Sequence, residues 1–532
     1  MNTASRRVAV FVLLALAVLA ALACALVPSL VEDAAHQRLA ELPAALANQG
    51  IALEPPEVEK VSFSLLSREL ALDNVRLHGK FADAARSGGS FLATAEGLSL
   101  RLTPRALLLA TPLGSFLLPG EQGAPELFPV AENVVTRDVT ASAAETDLAL
   151  TVSASGSSAE EVAVDSALLR GILTGAQAPS GPDVIDWLYA FAASGLRLDG
   201  IALSVDAPAT GESLSASCAE FLLRGLERRH LAEQEARDIR CTLPDGRAFS
   251  IASLGVEAVA LPEKALLRPL AEELARPRIS EARLQTALKA ALSGPEPLAG
   301  KSTLSGLEVP LAGYGEGEAL RLERGAFSWR AVSPLDQEVV IEGLSLPAAA
   351  LAQEVGIALE GLPTLSLNAE LAVHGTGAGA SAPERYSGNL EARSLCSLGY
   401  AFTLDPQGYA AELAVLRGTY SGATLKYTDA GLLPRLAAAI MPSAEAAMMA
   451  IKVGLSRFCS APTPENAALR AALETFVERP GTLTLTARAP FNLLEALVTV
   501  GEGNAGALIG ASAEPGPLSL GQAMRQVENQ GR

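Results

Sequence analysis

The chain lacks the usual signatures of a catalytic or metal centre. Five cysteines occur in 532 residues and no two are spaced as CxxC, which excludes a zinc ribbon and a thioredoxin-type pair. The four histidines, His36, His78, His230 and His374, show no HxxxH or HExxH spacing. Gly300-Lys301-Ser302 ends like a phosphate-binding loop, but Gly294 lies one residue too far upstream. Pro295 and Pro297 also have no N–H to offer a phosphate. Gly313-Tyr-Gly-Glu-Gly317 and Gly375-Thr-Gly-Ala-Gly379 lack a following helix to meet a pyrophosphate. In Gly418-Thr-Tyr-Ser-Gly422 the serine sits one place late for a nucleophile elbow. No spacing nominates a carboxylate pair. The sequence therefore points to no catalytic, cofactor-binding or metal-ligating residue.

Positive charge is also scarce, with a formal net charge of −18. That excludes nucleic acid as an electrostatic partner. The densest basic cluster, Arg224, Arg228, Arg229 and His230, is diluted by Glu227, Glu233 and Glu235 and reads as a solvated helix face.

What the chain does have begins at its N-terminus. Val8–Val27 carries no charge and follows Arg6 and Arg7. Twenty such residues in a helix span about 30 Å of hydrocarbon. In a bacterial cell the positive-inside rule then leaves the N-terminus cytoplasmic and the body periplasmic. A cleaved signal peptide, with Ala21-Leu22-Ala23 at its cleavage site, is the alternative reading, and a lipoprotein at Cys24 is another. All three place the body outside the cytoplasm. There Cys218 could pair with Cys241, and Cys396 with Cys459; buried free thiols are equally compatible.

The expected fold is α+β: a transmembrane helix, then β-rich antiparallel sheet domains with interspersed helices and a more helical C-terminal part. The segments are 1–28 (anchor or signal), 29–50 (membrane-proximal helix), 51–262 (β-rich with helices), 263–300 (helical connector), 301–430 (β-rich) and 431–532 (helical, with one strand). Apolar alternation marks Val58–Leu77, Leu365–His374, Ser387–Leu404 and Thr482–Arg488 as strands. Helical spacing is expected over Asp183–Ala193, Ser217–Arg237, Glu263–Leu292 with a break near Pro277, Pro434–Phe458, Glu465–Glu478, Phe491–Val500 and Leu518–Val527. On the first of these, Trp187, Tyr189 and Phe191 read as ordinary core.

One motif recurs: Leu72-Asp-Asn-Val-Arg-Leu77, Ala95-Glu-Gly-Leu-Ser-Leu100, Leu198-Asp-Gly-Ile-Ala-Leu203, Leu304-Ser-Gly-Leu-Glu-Val309 and Ile341-Glu-Gly-Leu-Ser-Leu346. The middle pair suits either a two-residue hairpin turn or a bulge that resets alternation within one strand. Either keeps the apolar residues on one face.

An N-terminal membrane run leads straight into Val61-Ser-Phe-Ser-Leu65 and Leu70-Ala-Leu-Asp-Asn-Val-Arg-Leu77, and Gly-Leu-Ser-Leu segments recur as far as Leu404. This layout resembles AsmA-like envelope proteins and is similar to the DUF945 group of bacterial envelope proteins. The resemblance implies a greasy β groove and a part in envelope lipid homeostasis. The expectation is a non-enzymatic, inner-membrane-anchored periplasmic protein, with the membrane (through residues 8–27), phospholipid and other envelope proteins as partners and no cofactor. Alternatives are a periplasmic hydrolase whose site forms only in three dimensions, and a scaffold that binds partners at a strand edge.

Overall fold

The computed structural model describes residues 39–40, 43, 51–64, 67–81, 89–109, 127–145, 148–166, 189–207, 211–227, 230–260, 264–274, 283, 286, 299–311, 318–330, 336–355, 362–375, 382–409, 411–441 and 443–530. The Val8–Val27 run, nearly all of the 29–50 helix, Trp187 and nearly all of the helix expected beyond Leu274 lie outside these residues. The chain divides into two compact units, Met1–Gly300 and Lys301–Arg532.

The first unit is an antiparallel meander. Its strands are β1 (Ile51–Leu53), β2 (Glu57–Ser64), β3 (Glu69–Phe81), β4 (Ser90–Leu102), β5 (Leu127–Glu145), β6 (Leu148–Asp165), β7 (Phe191–Ser194), β8 (Leu196–Ala207), β9 (Glu212–Glu227), β10 (His230–Thr242) and β11 (Ala248–Ala260). β1 and β2 share one edge of β3. Pairing then follows chain order, with β7 and β8 lying end to end between β6 and β9. Two short helices accompany it, α1 (Pro104–Leu109) and α2 (Lys264–Leu274). Thr103 caps α1: its hydroxyl accepts from the Ala106 N–H at 3.1 Å and donates to the Pro129 carbonyl at 2.7 Å.

Each strand is apolar on one side, but the alternation is broken at a shared level. On β8, Leu196 and Leu198 face the apolar side, and so do Ile201, Leu203 and Val205. Asp199 and Gly200 intervene where simple alternation allows one residue, and Gly200 has φ of 58°. The neighbours break at the same level, so register survives: Asp199 pairs with Glu220 and Ile201 with Cys218, and Asp73 pairs with Gly97 and Val75 with Ala95. The seam runs through Asp73-Asn74, Glu96-Gly97, Arg137-Asp138, Ser155-Gly156, Asp199-Gly200, Ala219-Glu220, Arg237-Asp238 and Ala252-Ser253. Left-handed φ falls on every second strand, at Asn74 (50°), Asp138 (46°), Gly200 (58°) and Asp238 (51°). Gly and the short polar Asn and Asp are the residues that tolerate it. A second seam follows Asn133, Gly225 and Ala258, with φ of 49°, 61° and 53°.

Two consecutive residues on the polar side make each strand longer there than on its apolar side. The phase of each strand is reset there, so its apolar residues stay on one face past the seam. The recurring motif is this in-strand device and not a hairpin turn. Four copies carry the positive φ, at Asn74, Gly200, Gly306 and Gly343; the Ala95–Leu100 copy has none. Its Gly97 instead leaves room for Arg137, whose Nη2 lies 2.9 Å from where a Cβ would stand.

The second unit contains β12 (Ala299–Pro310), β13 (Ala319–Arg330), β14 (Asp336–Pro347), β15 (Thr364–Gly375), β16 (Glu384–Ala392), β17 (Cys396–Asp405), β18 (Thr419–Asp429), β19 (Thr482–Ala487) and β20 (Ile509–Glu514). From β13 to β20 each pairs antiparallel with the next. A seam of the same kind marks β12 and β14, at Gly306 and Gly343, and ends at β15, where Ile341-to-Leu344 faces the shorter step Ala369-to-Leu367. There the Asn368 side-chain oxygen accepts from the Gly343 N–H at 2.8 Å, satisfying a donor the bulge frees.

The helices of this unit are α3 (Ala348–Val355), α4 (Ala411–Arg417), α5 (Leu432–Ile440), α6 (Ala444–Phe458), α7 (Pro464–Glu478), α8 (Leu493–Gly501), α9 (Ala505–Leu508) and α10 (Leu520–Gln530). α5, α6, α7 and α10 close one end of the sheet by packing Ala437, Ala447, Phe476, Leu520 and Met524 with Leu483 and Tyr427. Among the described residues no single helix is long and apolar enough to cross a membrane. α5 and α6 together pass by length and composition, but they are bent by 101°.

Several expectations are corrected. Ser217–Arg237 is strand, in β9 and β10, not helix: the seam puts Cys218 and Phe221 three apart on one face, which imitates a helical step. Phe191–Ser194 is strand β7, so Phe191 does not share a helix face with Tyr189. Pro434–Phe458 is two helices, because Pro442 cannot supply the N–H that a continuous helix needs there. Ser387–Leu404 is a hairpin of two strands, turned at residues 393–395 with Ser394 at φ 64°. The Gly/Ala-rich stretch 501–516 contains α9 and β20, a helix and a strand the composition did not suggest.

Candidate ligand-binding face

The apolar side of the first unit is closed at one end and half-open at the other. Across β3 to β6, Leu70, Leu72, Leu100, Leu102, Val130 and Val164 are fully buried, and Leu39 and Ala106 pack onto the same cluster. Across β8 to β11 the apolar side chains form cross-strand rows. Leu198, Phe221, Ala236 and Leu254 make one; Ile201, Cys218, Ile239 and Ile251 the next; Leu203, Ala216, Cys241 and Phe249 a third. Of these twelve only Ala236 is buried, and Leu254 is 38% exposed. No described helix packs extensively on β8 to β11. This apolar side is the inner side of the strands and the charged side the outer.

The other side of the same strands is charged. The Arg197 guanidinium lies 2.9 Å from Asp199 and 3.2 Å from Glu220, and Arg237 lies 3.0 Å from Glu220 and 2.7 Å from Glu235. The Arg237 hydrogen bond holds the Glu235 carboxyl below its ordinary range. Exposed pairs of this kind stabilise little. Their value here is that they mark the outer face as the wet one.

The second unit repeats the arrangement with larger rings. Phe327, Val339, Leu371, Gly388 and Tyr400 line up across β13 to β17, and Phe327 and Leu390 are each 38% exposed. Phe327 stacks on Trp329 with centroids 5.2 Å apart. Tyr386, Phe402, Tyr420 and Phe491 form a run of rings at 4.9, 5.5 and 5.5 Å. Burial raises the Tyr386 and Tyr420 phenols above their ordinary range.

Polar residues do not gather into a reactive centre among the described residues. His78 pairs with Glu54 at 3.2 Å and His374 with Asp336 at 2.8 Å, both at the surface, and His230 is exposed. His36, Arg228 and Arg229 lie outside the described residues. Arg224 is on a strand, not the helix face expected of it, and meets Glu233 at 2.9 Å. No group of three or more His, Cys, Asp or Glu is placed to hold a metal ion among the described residues. One carboxylate pair is perturbed: a hydrogen bond with Asp138 raises Glu96, and repulsion between the two adds to it. The pair sits on the exposed outer side of the seam, away from the apolar face. The four described cysteines are free thiols. Cys218 and Cys241 are half-buried, while burial raises the thiols of Cys396 and Cys459 above the ordinary range.

The half-open rows are what motif searching passes over, because no reactive residue type marks them. The legible signal is alternation with one step of three per strand, repeated strand after strand. No family model, curated protein or solved structure matches this chain.

Proposed function

We propose that the protein shelters the acyl chains of phospholipid on the inner, apolar side of its sheets, held beside a membrane by Val8–Val27. It is a non-enzymatic lipid-handling protein of the envelope, in the manner of the AsmA-like and DUF945 proteins its layout resembles. The observation that carries this reading is the set of apolar rows across β8 to β11, left half-exposed on one side of the sheet while the other side is charged. A protein that needed these rows only for its own core would cover them with helices, as the β19–β20 end is covered. Each CH₂ taken from water onto such a surface contributes about 0.8 kcal/mol, so a single acyl chain supplies ample driving force.

The test is native mass spectrometry with solvent extraction of the full-length protein beside two variants on one strand. Leu203→Glu places a carboxylate on the inner side between Val152 and Ala216. It is expected to lose most of the bound phospholipid, because the new charge must stay hydrated. Ala202→Glu lies on the outer side, opposite Ser153 and Ser217, and is expected to keep it. Equal lipid in both folded variants would refute the proposal.

A further inference from the structure

The aromatic run of the second unit leads to a second apolar surface. Tyr420 is the joint. Its backbone pairs with Phe491 through N–H···O bonds of 2.7 and 3.0 Å, its ring stacks on Phe491 at 5.5 Å, and its hydroxyl donates to the Val415 carbonyl of α4 at 2.8 Å. Phe491 lies just before Asn492, whose side chain accepts from the Glu495 N–H at 2.8 Å and caps α8. One tyrosine at the end of β18 thus fixes both α4 and α8, which touch each other. The two helices present Leu413, Val415, Leu416, Leu494, Leu497 and Val498 to solvent, each between 40% and 62% exposed. Leu494, Leu497 and Val498 follow the i, i+3, i+4 spacing of a helix stripe, turned outward. An exposed cluster of large apolar side chains of this kind marks a contact surface.

We infer that α4 and α8 dock on a phospholipid bilayer and form the mouth through which lipid reaches the aromatic side of the second unit. This inference rests on the lipid reading above and names where that lipid enters. Two observations select a bilayer as the occupant. The ring run Tyr386, Phe402, Tyr420 and Phe491 leads from the apolar side of this unit's own sheet to the two helices that bear the patch. The charge is also wrong for an electrostatic partner: α4 and α8 contain Glu412, Glu495 and a single basic residue, Arg417, in a chain of net −18. Attachment is by apolar insertion, insensitive to salt and suited to zwitterionic lipid.

The experiment reconstitutes the full-length chain in phosphatidylcholine vesicles with or without brominated acyl chains and reads tryptophan emission. Leu497→Trp is compared with Ala202→Trp, on the outer face of β8, each against the parent chain with its own two tryptophans. Brominated lipid is expected to quench more than half of the emission that Leu497→Trp adds, at low and high salt alike, and little of that added by Ala202→Trp. Equal quenching of the two overturns the inference. So does unquenched Leu497→Trp emission in a chain that self-associates, since the patch then binds a second copy. A Val498→Trp reporter that loses its quenching when Leu497→Glu is added, in a chain that still copurifies with lipid, separates failure of the mouth from failure of the groove.

Discussion

Replacing Asn466 by alanine destabilises the C-terminal unit by about 3–4 kcal/mol, from the lost hydrogen bonds and the cavity left behind. Asn466 is 2% exposed and is the most buried polar side chain described. It sits three residues after Thr463, the N-cap of α7, whose hydroxyl accepts from its N–H at 3.2 Å. Its amide nitrogen donates to the Ala461 carbonyl at 2.9 Å and the Gly503 carbonyl at 3.0 Å, and its oxygen accepts from the Gly506 N–H at 2.7 Å. The two carbonyls have other donors, in Thr463 and Ala461, but alanine leaves the Gly506 N–H without this acceptor. The start of α9 lies so close that a Cβ on Gly506 would stand 2.5 Å from the Asn466 backbone nitrogen. Asn466→Asp is expected to do worse, because it turns a carboxylate oxygen toward two carbonyls. Thermal unfolding of the full chain checks both, with a drop on the order of 10 °C for the alanine variant. A change within error would mean the bracket is dispensable.

Gly200→Val is expected to destabilise the first unit by about 2–4 kcal/mol, combining the left-handed penalty with a steric one. The φ of 58° is costly for any L residue and worst for a β-branched one. A Cβ there would also stand 2.6 Å from the Ser155 hydroxyl oxygen on the neighbouring strand. Gly200→Asn separates these effects. Asparagine already occupies the equivalent place at Asn74 and tolerates the conformation, so it should recover much of the loss. Urea unfolding of the two variants reads the difference. If valine and asparagine cost the same, the seam is not set by backbone conformation.

The strands were legible where the seam does not interfere. Thr482–Ala487 alternates cleanly, and Leu483 turns inward as its pattern demands. The motif itself was legible as a reset of alternation, since Asp-Gly and Asp-Asn carry their own conformational preference. Its alignment across eight strands was not, because register belongs to pairing and not to any one strand. The same seam made β9 and β10 look helical by spacing Cys218 and Phe221 three apart. In the C-terminal region helical spacing was enough to mark α7 and α8, which the structure caps with Thr463 and Asn492. The role of Asn466 was invisible, since its partners lie 5, 37 and 40 residues away in sequence. The candidate face was half legible: its residues are the apolar ones of each strand, but that they stay half-exposed follows only from where the described helices pack.

The central claim is that phospholipid lies on the inner side of these sheets. Its most direct test is cross-linking of the full-length protein with a phospholipid that carries a photoactivatable group near the end of one acyl chain, followed by peptide mapping. The account predicts adducts on inward residues of β8 to β11, such as Leu198, Ile201 and Phe221, and none on the outward Arg197, Ala202 or Arg237. Adducts confined to Val8–Val27, or spread equally over both sides of the strands, would contradict it.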